Sequence, residues 1–411
     1  MSKYMNISSF VLVLMFMLLP IDMFNGFLLH NNINLPLSLG QLYKFIILLF
    51  LFTSLLLKPN KLILSLGLVF LLLIPSLFQV FLQFRIDFLF NDIIKIIRYL
   101  TPVFAFLFFV DYIKKEFGLG MLFKLVKFSF IVFSLNILLK YVGLGYPMYV
   151  HNNIGSKGFF YAGNETSVVL IILSAIIGYN FWLERRFFRY FLFFIFTLFV
   201  GITISSKTGM LGVVLTFLFI PMKTSHIKFT FKKLNYILLF SIVIIPALVF
   251  TFIKVIVNSP IFLRFSFFWE KLDFVTFVFS HRNVFFDNAL KVFYNNYHFV
   301  EKIIGVGQTK YELLNGGSIV EIDIADIFFA YGFMGLLLFL TLMLFIIYQA
   351  KLFKRTGSYP YASFVRLMAI VLLGISTIAG HVYSSGMAAV FLGLLFSLMY
   401  IKENQIETET T

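Results

Sequence analysis

The feature that most constrains this chain is a series of apolar runs, each about as long as a bilayer is thick, recurring along its whole length. A helix of about 20 apolar residues covers the roughly 30 Å hydrocarbon core. A backbone in lipid must satisfy its own hydrogen bonds, so such runs fold as helices or closed barrels. A barrel would show short strands of alternating polarity, and this chain does not. The sequence therefore predicts an all-α polytopic membrane protein. The runs fall at roughly 8–28, 38–57, 62–82, 93–110, 121–142, 164–182, 190–206, 208–222, 235–257, 325–348, 365–382 and 384–401, which predicts about twelve transmembrane helices. The first run, SFVLVLMFMLLPIDMFNGFLLH, lacks a small-residue cleavage site and reads as a retained span rather than a signal peptide.

Composition removes several other classes. Only 12% of the residues are charged, too few to cover a soluble protein of this length. The chain has no Cys, which excludes disulfides and thiolate metal sites. The net charge of +15 would suit nucleic acid, but the basic residues sit in short connections between apolar runs, so no nucleic-acid partner is expected. The 59 Phe read as lipid-facing filler and carry no functional weight.

The basic residues also set an orientation. With the amino terminus in the cytoplasm, the inside segments hold Lys3; Lys58 and Lys61; Lys114, Lys115, Lys124 and Lys127; Arg185, Arg186 and Arg189; Lys223, Lys228, Lys232 and Lys233; Lys351, Lys354, Arg355 and Arg366; and Lys402. The outside turns hold chiefly Arg85, Lys157 and Lys207. Cytoplasmic loops carry such an excess, so both termini are expected in the cytoplasm. The expected organisation is nine spans over 1–257, a large external loop with amphipathic helices over 258–324, three spans over 325–401 and a polar cytoplasmic tail over 402–411. A loop this long with internal pattern is more often functional than idle.

Four clusters on the outer side carry the residues that could do chemistry. The first is Ser205-Ser206-Lys207-Thr208. From Tyr190 to Met222 there are 33 residues with Lys207 as the one charge, whereas two spans and a turn need about 40. SSKTG is therefore expected to turn below the membrane surface in a protein-lined cavity. Lys207 is either a snorkelling lysine or a phosphate-binding cation beside hydroxyls and a helix start. The second cluster is His281-Arg282, heading the stretch HRNVFFDNALKVF, which fits a helix with Phe285, Ala289 and Phe293 on one face. Arg282 either pairs with a nearby acid or clamps a pyrophosphate with its planar guanidinium. His281 is a candidate base near neutral pH, or a hydrogen-bonding bystander.

The third cluster is EIDIAD, with Glu321, Asp323 and Asp326 entering the next apolar run. These acids either cap a helix start or supply a carboxylate that accepts a proton from a sugar hydroxyl. Their spacing specifies no metal site, and no cofactor is expected. The fourth is GHVYSSG, 380–386, where His381 either packs in a turn or donates to a glycan or phosphate.

These motifs resemble the O-antigen polymerase and O-antigen ligase-like membrane proteins. GITISSKTGMLGV looks like the family's serine-rich segment with its basic residue. HRNVFFDNALKVF followed by IIGVG looks like the Arg-bearing helix and its Gly-X-Gly turn, and EIDIADIFFAYGFMGLLLF looks like the segment that ends the large external loop. The resemblance implies a GT-C-like architecture. It implies an inverting, metal-independent glycosyl transfer at the outer face of the bacterial inner membrane, with donor and acceptor carried on undecaprenyl pyrophosphate. It implies that Arg282 contacts the pyrophosphate. Lys207 stands where family members usually carry Arg, which keeps the charge and loses the bidentate fork. Ligases typically place a His at the position matching Glu321, so the resemblance leans toward a polymerase. A flippase and a chain-length regulator are the partners this implies, beside membrane lipid. The alternatives are a ligase that moves the glycan onto lipid A-core and, in a different class, a polysaccharide flippase.

Overall fold

The computed structural model describes residues 7–405 except 34, 36, 57, 116–117, 150–152 and 225–259. The expected run at 235–257 thus lies outside the described residues, as do Lys3, Lys228, Lys232 and Lys233. The chain begins with α1 (Ile7–Phe16) and α2 (Leu18–His30), bent 45° to each other. The next helix, α3 (Leu39–Thr53), opens on a capping box in which Ser38 and Gln41 exchange hydrogen bonds. A proline at the first helical position starts α4 (Pro59–Gln83), where its missing N–H costs nothing. Then follow α5 (Ile86–Tyr112), α6 (Gly118–Leu138), α7 (Gly163–Leu183), α8 (Phe187–Ile204) and α9 (Lys207–Thr224). Five short helices form the long connection: α10 (Pro260–Lys271), α11 (Phe274–Phe279), α12 (Arg282–Asn296), α13 (Phe299–Ile304) and α14 (Gln308–Leu314). The chain ends with α15 (Asp323–Thr356), α16 (Ala362–Ile378) and α17 (Ala389–Ser397), which runs on as a 3-10 turn over Leu398–Tyr400. The described residues form no sheet; two isolated bridges, Tyr146 with Gly158 and Tyr149 with Ile154, fold a small hairpin between α6 and α7.

The structure overturns the count of twelve spans. Among the described residues six helices are long and apolar enough to cross a membrane, or seven if α1 and α2 form one span. Four further apolar helices, Leu39–Thr53, Lys207–Met222, Ala362–Ile378 and Ala389–Tyr400, have only 10–17 residues. At 1.5 Å per residue such helices reach at most about 26 Å, short of the hydrocarbon thickness. Their apolar character has another origin, clearest in α17: Ala389 through Ser397 are all buried, and the helix packs along α5. An apolar run of this length fits a protein core as well as lipid, and hydropathy alone does not tell the two apart.

The long connection is anchored in the bundle by buried polar groups. Glu301 of α13 accepts from Gln79 Nε2 of α4 and from Lys310 Nζ of α14, each at 2.8 Å. Asp92 of α5 accepts from the backbone N–H and hydroxyl of Thr309 and from Ser76. The Gly305-Val306-Gly307 turn meets α15 at its one break. Val306 and Gly307 donate their N–H groups to Ala330 O at 3.0 and 2.9 Å. Gly332 stands there at φ 62°, ψ −161°, and a Cβ on it would come within 2.6 Å of Gly305 N. Glycine is required at this point by both the backbone angle and the close approach. The end of the long connection and the break in α15 are thereby locked together.

Candidate functional site

The turn between α8 and α9 is only two residues long. Ser205 ends α8 in the left-handed conformation at φ 64°. Ser206 Oγ accepts from Gly209 N–H at 3.4 Å, so Ser206 caps the start of α9. This places Lys207 in the first turn of α9, where its Nζ lies 3.9 Å from the Phe277 ring centroid and donates to Phe277 O at 3.2 Å. Both serines are buried, while Lys207 is exposed.

Phe277 belongs to α11, and the next residues reverse the chain. Ser280 and His281 both take positive φ, 52° and 69°, and the Asn283 amide donates to Thr276 Oγ1 across the turn at 2.8 Å. The reversal aims Arg282, at the head of α12, toward the loop that precedes α15. There Arg282 donates through Nη2 to Glu321 Oε2 at 2.9 Å. The Arg282 side chain is only 12% exposed, and its Nε has no hydrogen-bond partner among the described residues. His381 Nε2 stands 3.7 Å from the same Glu321 oxygen. Gly380, at φ 59°, holds this contact: a Cβ there would fall 1.8 Å from Glu321 O.

These pieces meet in one cavity of about 380 Å³. Ser205, Ser206, Lys207, Thr208, His281, Arg282 and Glu321 all line it. His381 joins through Glu321 and is not itself a lining residue. Asp323 and Asp326 lie elsewhere. Asp323 accepts from the N–H groups of Val382, Tyr383 and Ser384 at 2.8, 3.0 and 3.3 Å and from the Ser384 hydroxyl at 2.6 Å. Asp326 accepts from the Tyr311 hydroxyl and from Val320 N–H, both at 2.9 Å. Of the three acids in EIDIAD, Glu321 is the one that faces the cavity.

The electrostatics follow from this arrangement. The facing His381 imidazole does most to hold the Glu321 carboxyl below the usual carboxylate range; burial opposes it, and Arg282 adds to the lowering. At 3.7 Å the His381 contact is one of charge rather than a formed hydrogen bond. For His381 burial pushes the imidazole down, but Glu321, with Asp323 and Glu165 beyond it, raises it above its ordinary value. Backbone strain gathers here as well. Ser205, Ser280, His281, Glu321 and His381 all hold positive φ without being glycine, a state costing about 1–3 kcal/mol each that characteristically clusters at functional sites.

Residues 270–406, about a third of the chain, match the family model described as O-antigen ligase like membrane protein. The match supports assigning the chain to that family. It covers Phe277, Ser280, His281, Arg282, Glu321 and His381, while Ser205 through Thr208 lie outside it. Assignment to the O-antigen ligase-like proteins supports a multi-pass membrane protein with a glycan-processing role and points to an enzyme acting on glycans. A comparison with curated proteins finds no match.

Sequence reasoning missed one wall of the cavity. Tyr149 and Ile154 of the small hairpin and Asn164 of α7 line it, as do Phe268, Leu272 and Phe277. The hairpin did leave a signal in NNIGSKG, a polar stretch in which Asn153, Gly155 and Gly158 take positive φ. Nothing in the local sequence links that stretch to Arg282.

Proposed function

We propose that the protein is a polysaccharide polymerase. It joins oligosaccharide repeat units carried on undecaprenyl pyrophosphate, by inverting glycosyl transfer at the outer face of a bacterial inner membrane. The observation that supports this most is the single cavity gathering Lys207, Arg282 and Glu321. Two cations suit a leaving pyrophosphate, and a carboxylate suits an attacking hydroxyl.

In the mechanism we favour, the donor pyrophosphate enters beside Lys207, the Ser205-Ser206 turn and the start of α9. It draws Arg282 from Glu321, because a guanidinium binds phosphate oxygens bidentately. Glu321 is thereby released. Its carboxylate takes the proton of the acceptor sugar hydroxyl as that oxygen bonds to the anomeric carbon of the donor. The anomeric carbon–oxygen bond to phosphate breaks, and its electron pair leaves with the lipid pyrophosphate, stabilised by Lys207 and Arg282. Attack opposite the leaving group inverts the anomeric centre. Asp323 and Asp326 act as positioning residues, holding the 382–384 backbone and the approach to Glu321. His281 lines the cavity, and His381 keeps Glu321 ionised. The placement of Lys and Arg in the sequence supports cytoplasmic termini and a cavity open to the periplasm. A flippase that delivers the units and a chain-length regulator are the partners this role calls for.

Two observations favour a second reading, a ligase. The matched family is described as ligase-like, and His381 brings an imidazole to Glu321 from another segment. The size distribution of surface polysaccharide in a deletion strain separates the two. Plasmid-borne wild type should restore long chains, and Arg282→Ala should leave core bearing a single repeat unit. Bare core with long chains stalled on the lipid carrier would establish a ligase and overturn the polymerase reading.

A further inference from the structure

We infer that a second polar cavity, beside the first, binds the phosphate-bearing head group of the other lipid-linked substrate, with Arg98 and Lys44 as its cations. This rests on the transfer between two lipid-linked units proposed above. The cavity has about 280 Å³ and is lined by Asp22 and Asn25 of α2, Lys44 of α3, Arg98 of α5, Glu165 of α7 and Met387.

Three of its four charged residues are already held in place. Lys44 Nζ pairs with Asp22 Oδ1 at 2.9 Å. Glu165 Oε2 accepts from Ser385 Oγ and from Met387 N–H, both at 2.8 Å. Arg98 is different. It projects from the middle of α5, a helix of bilayer-crossing length, is exposed, and makes no hydrogen bond or ion pair among the described residues. A guanidinium has five donors and stays charged, so at membrane depth it calls for an anionic partner. A phosphate supplies one bidentately. Lys44 stands close enough to share it: a methyl group on Gly386 would lie 3.6 Å from Lys44 Nζ and 3.8 Å from Arg98 Cγ. Asp22 Oδ2 is buried without a hydrogen-bond partner among the described residues, an acceptor suited to a sugar hydroxyl or amide N–H. A ligand that offers phosphate oxygens to two cations and a donor to a carboxylate is a glycosyl phosphate.

The two cavities adjoin at the start of α7. Asn164 lines the first and its neighbour Glu165 the second. In the connection between α16 and α17, His381 faces Glu321 while Ser385 and Met387 rest on Glu165. Transfer from one lipid-linked unit to another needs two pyrophosphates docked at once, one that departs and one that stays. Arg282 serves the first and Arg98 the second.

Native mass spectrometry of the full chain with farnesyl pyrophosphate, a short polyprenyl pyrophosphate, tests this. The wild type should bind two molecules, and Arg98→Ala and Arg282→Ala one each. In a polymerisation assay Arg98→Ala should raise the KM for the acceptor at least tenfold with little change in kcat. Should Arg98→Ala fail to fold, Arg98→Gln, neutral and closer in size, carries the same expectation. One molecule bound by wild type and by Arg98→Ala, but none by Arg282→Ala, would overturn the second site and leave the polymerase reading standing. Two molecules bound by every single variant would overturn both. Inorganic pyrophosphate filling the second site as tightly as the lipid would show a site for free phosphate and sink the lipid assignment.

Discussion

Arg282 stands between two anions, the Glu321 carboxylate it now holds and the pyrophosphate it is proposed to receive. Arg282→Ala should lower kcat about 100-fold or more, the loss typical of removing one preorganised donor, while protein levels in the membrane stay near normal. Equal loss of protein would assign Arg282 a folding role instead. Lys207→Arg should keep activity and Lys207→Ala should lose it, because the proposed contact needs the charge at the head of α9; full activity in the Ala variant would end that idea. The Glu321–His381 pair gives a pH signature. Glu321 is lowered, so its stabilisation is complete above its ordinary value of 4.5 and is lost as the pH falls through the lowered value. His381 is raised, so its stabilisation is complete below its ordinary 6.5 and is lost as the pH rises through the raised value. The melting temperature of wild type should therefore decline as the pH climbs above about 6.5, and Glu321→Gln should flatten that decline. An unchanged pH dependence in Glu321→Gln would show that the pair does not couple to folding. All four residues were visible in the sequence as polar or charged groups expected on one side of the membrane. Which acid faces Arg282 was not, because Glu321, Asp323 and Asp326 differ only in the partners that the 305–320 and 380–386 segments bring.

At the scale of elements, the site depends on how the connecting helices dock. Glu301 and Lys310 form a buried pair that ties α13 and α14 to Gln79 of α4. Lys310→Ala would strand a buried carboxylate, which costs about 3 kcal/mol or more. Limited proteolysis should then cut within 299–315 at lower protease concentrations than in wild type; equal resistance would show that the pair does not anchor the loop. The acid response has a definite sign. Burial raises the Glu301 carboxyl, but Lys310, the His298 N–H and Gln79 outweigh it and hold it low. Docking should therefore be fully supported above pH 4.5 and weaken only as the pH falls below that ordinary carboxylate value. The helical periodicity of HRNVFFDNALKVF was legible, since Ala289 and Phe293 are buried as one face of α12. The clasp of Gly305-Val306-Gly307 on the break at Gly332 was not, because it pairs backbone groups of segments that share no local pattern.

At the scale of the whole molecule, the distribution of Lys and Arg predicts which end of the bundle faces out. The chain contains no Cys, so single cysteines can be introduced into a clean background. Tyr294→Cys, at an exposed position in α12, should react with a membrane-impermeant maleimide in intact spheroplasts. Arg355→Cys, at the far end of α15, should react only after the membrane is opened. The reverse pattern would invert the orientation and place the cavity away from periplasmic substrates.

The sequence by itself determined that this chain is helical, that it belongs in a membrane and where its charges fall, because a bilayer forces apolar runs into self-satisfied helices and the positive-inside bias is written in composition. The number of bilayer-length helices was decided only in three dimensions. Lipid and a protein core are alike as solvents for a side chain, so the apolar run that became α17 reads like a span and is instead buried against α5. The site was decided there too. Ser205, Arg282, Glu321 and His381 are brought together from four segments by left-handed turns and by buried backbone hydrogen bonds to Asp323, and such contacts depend on the path of the whole chain.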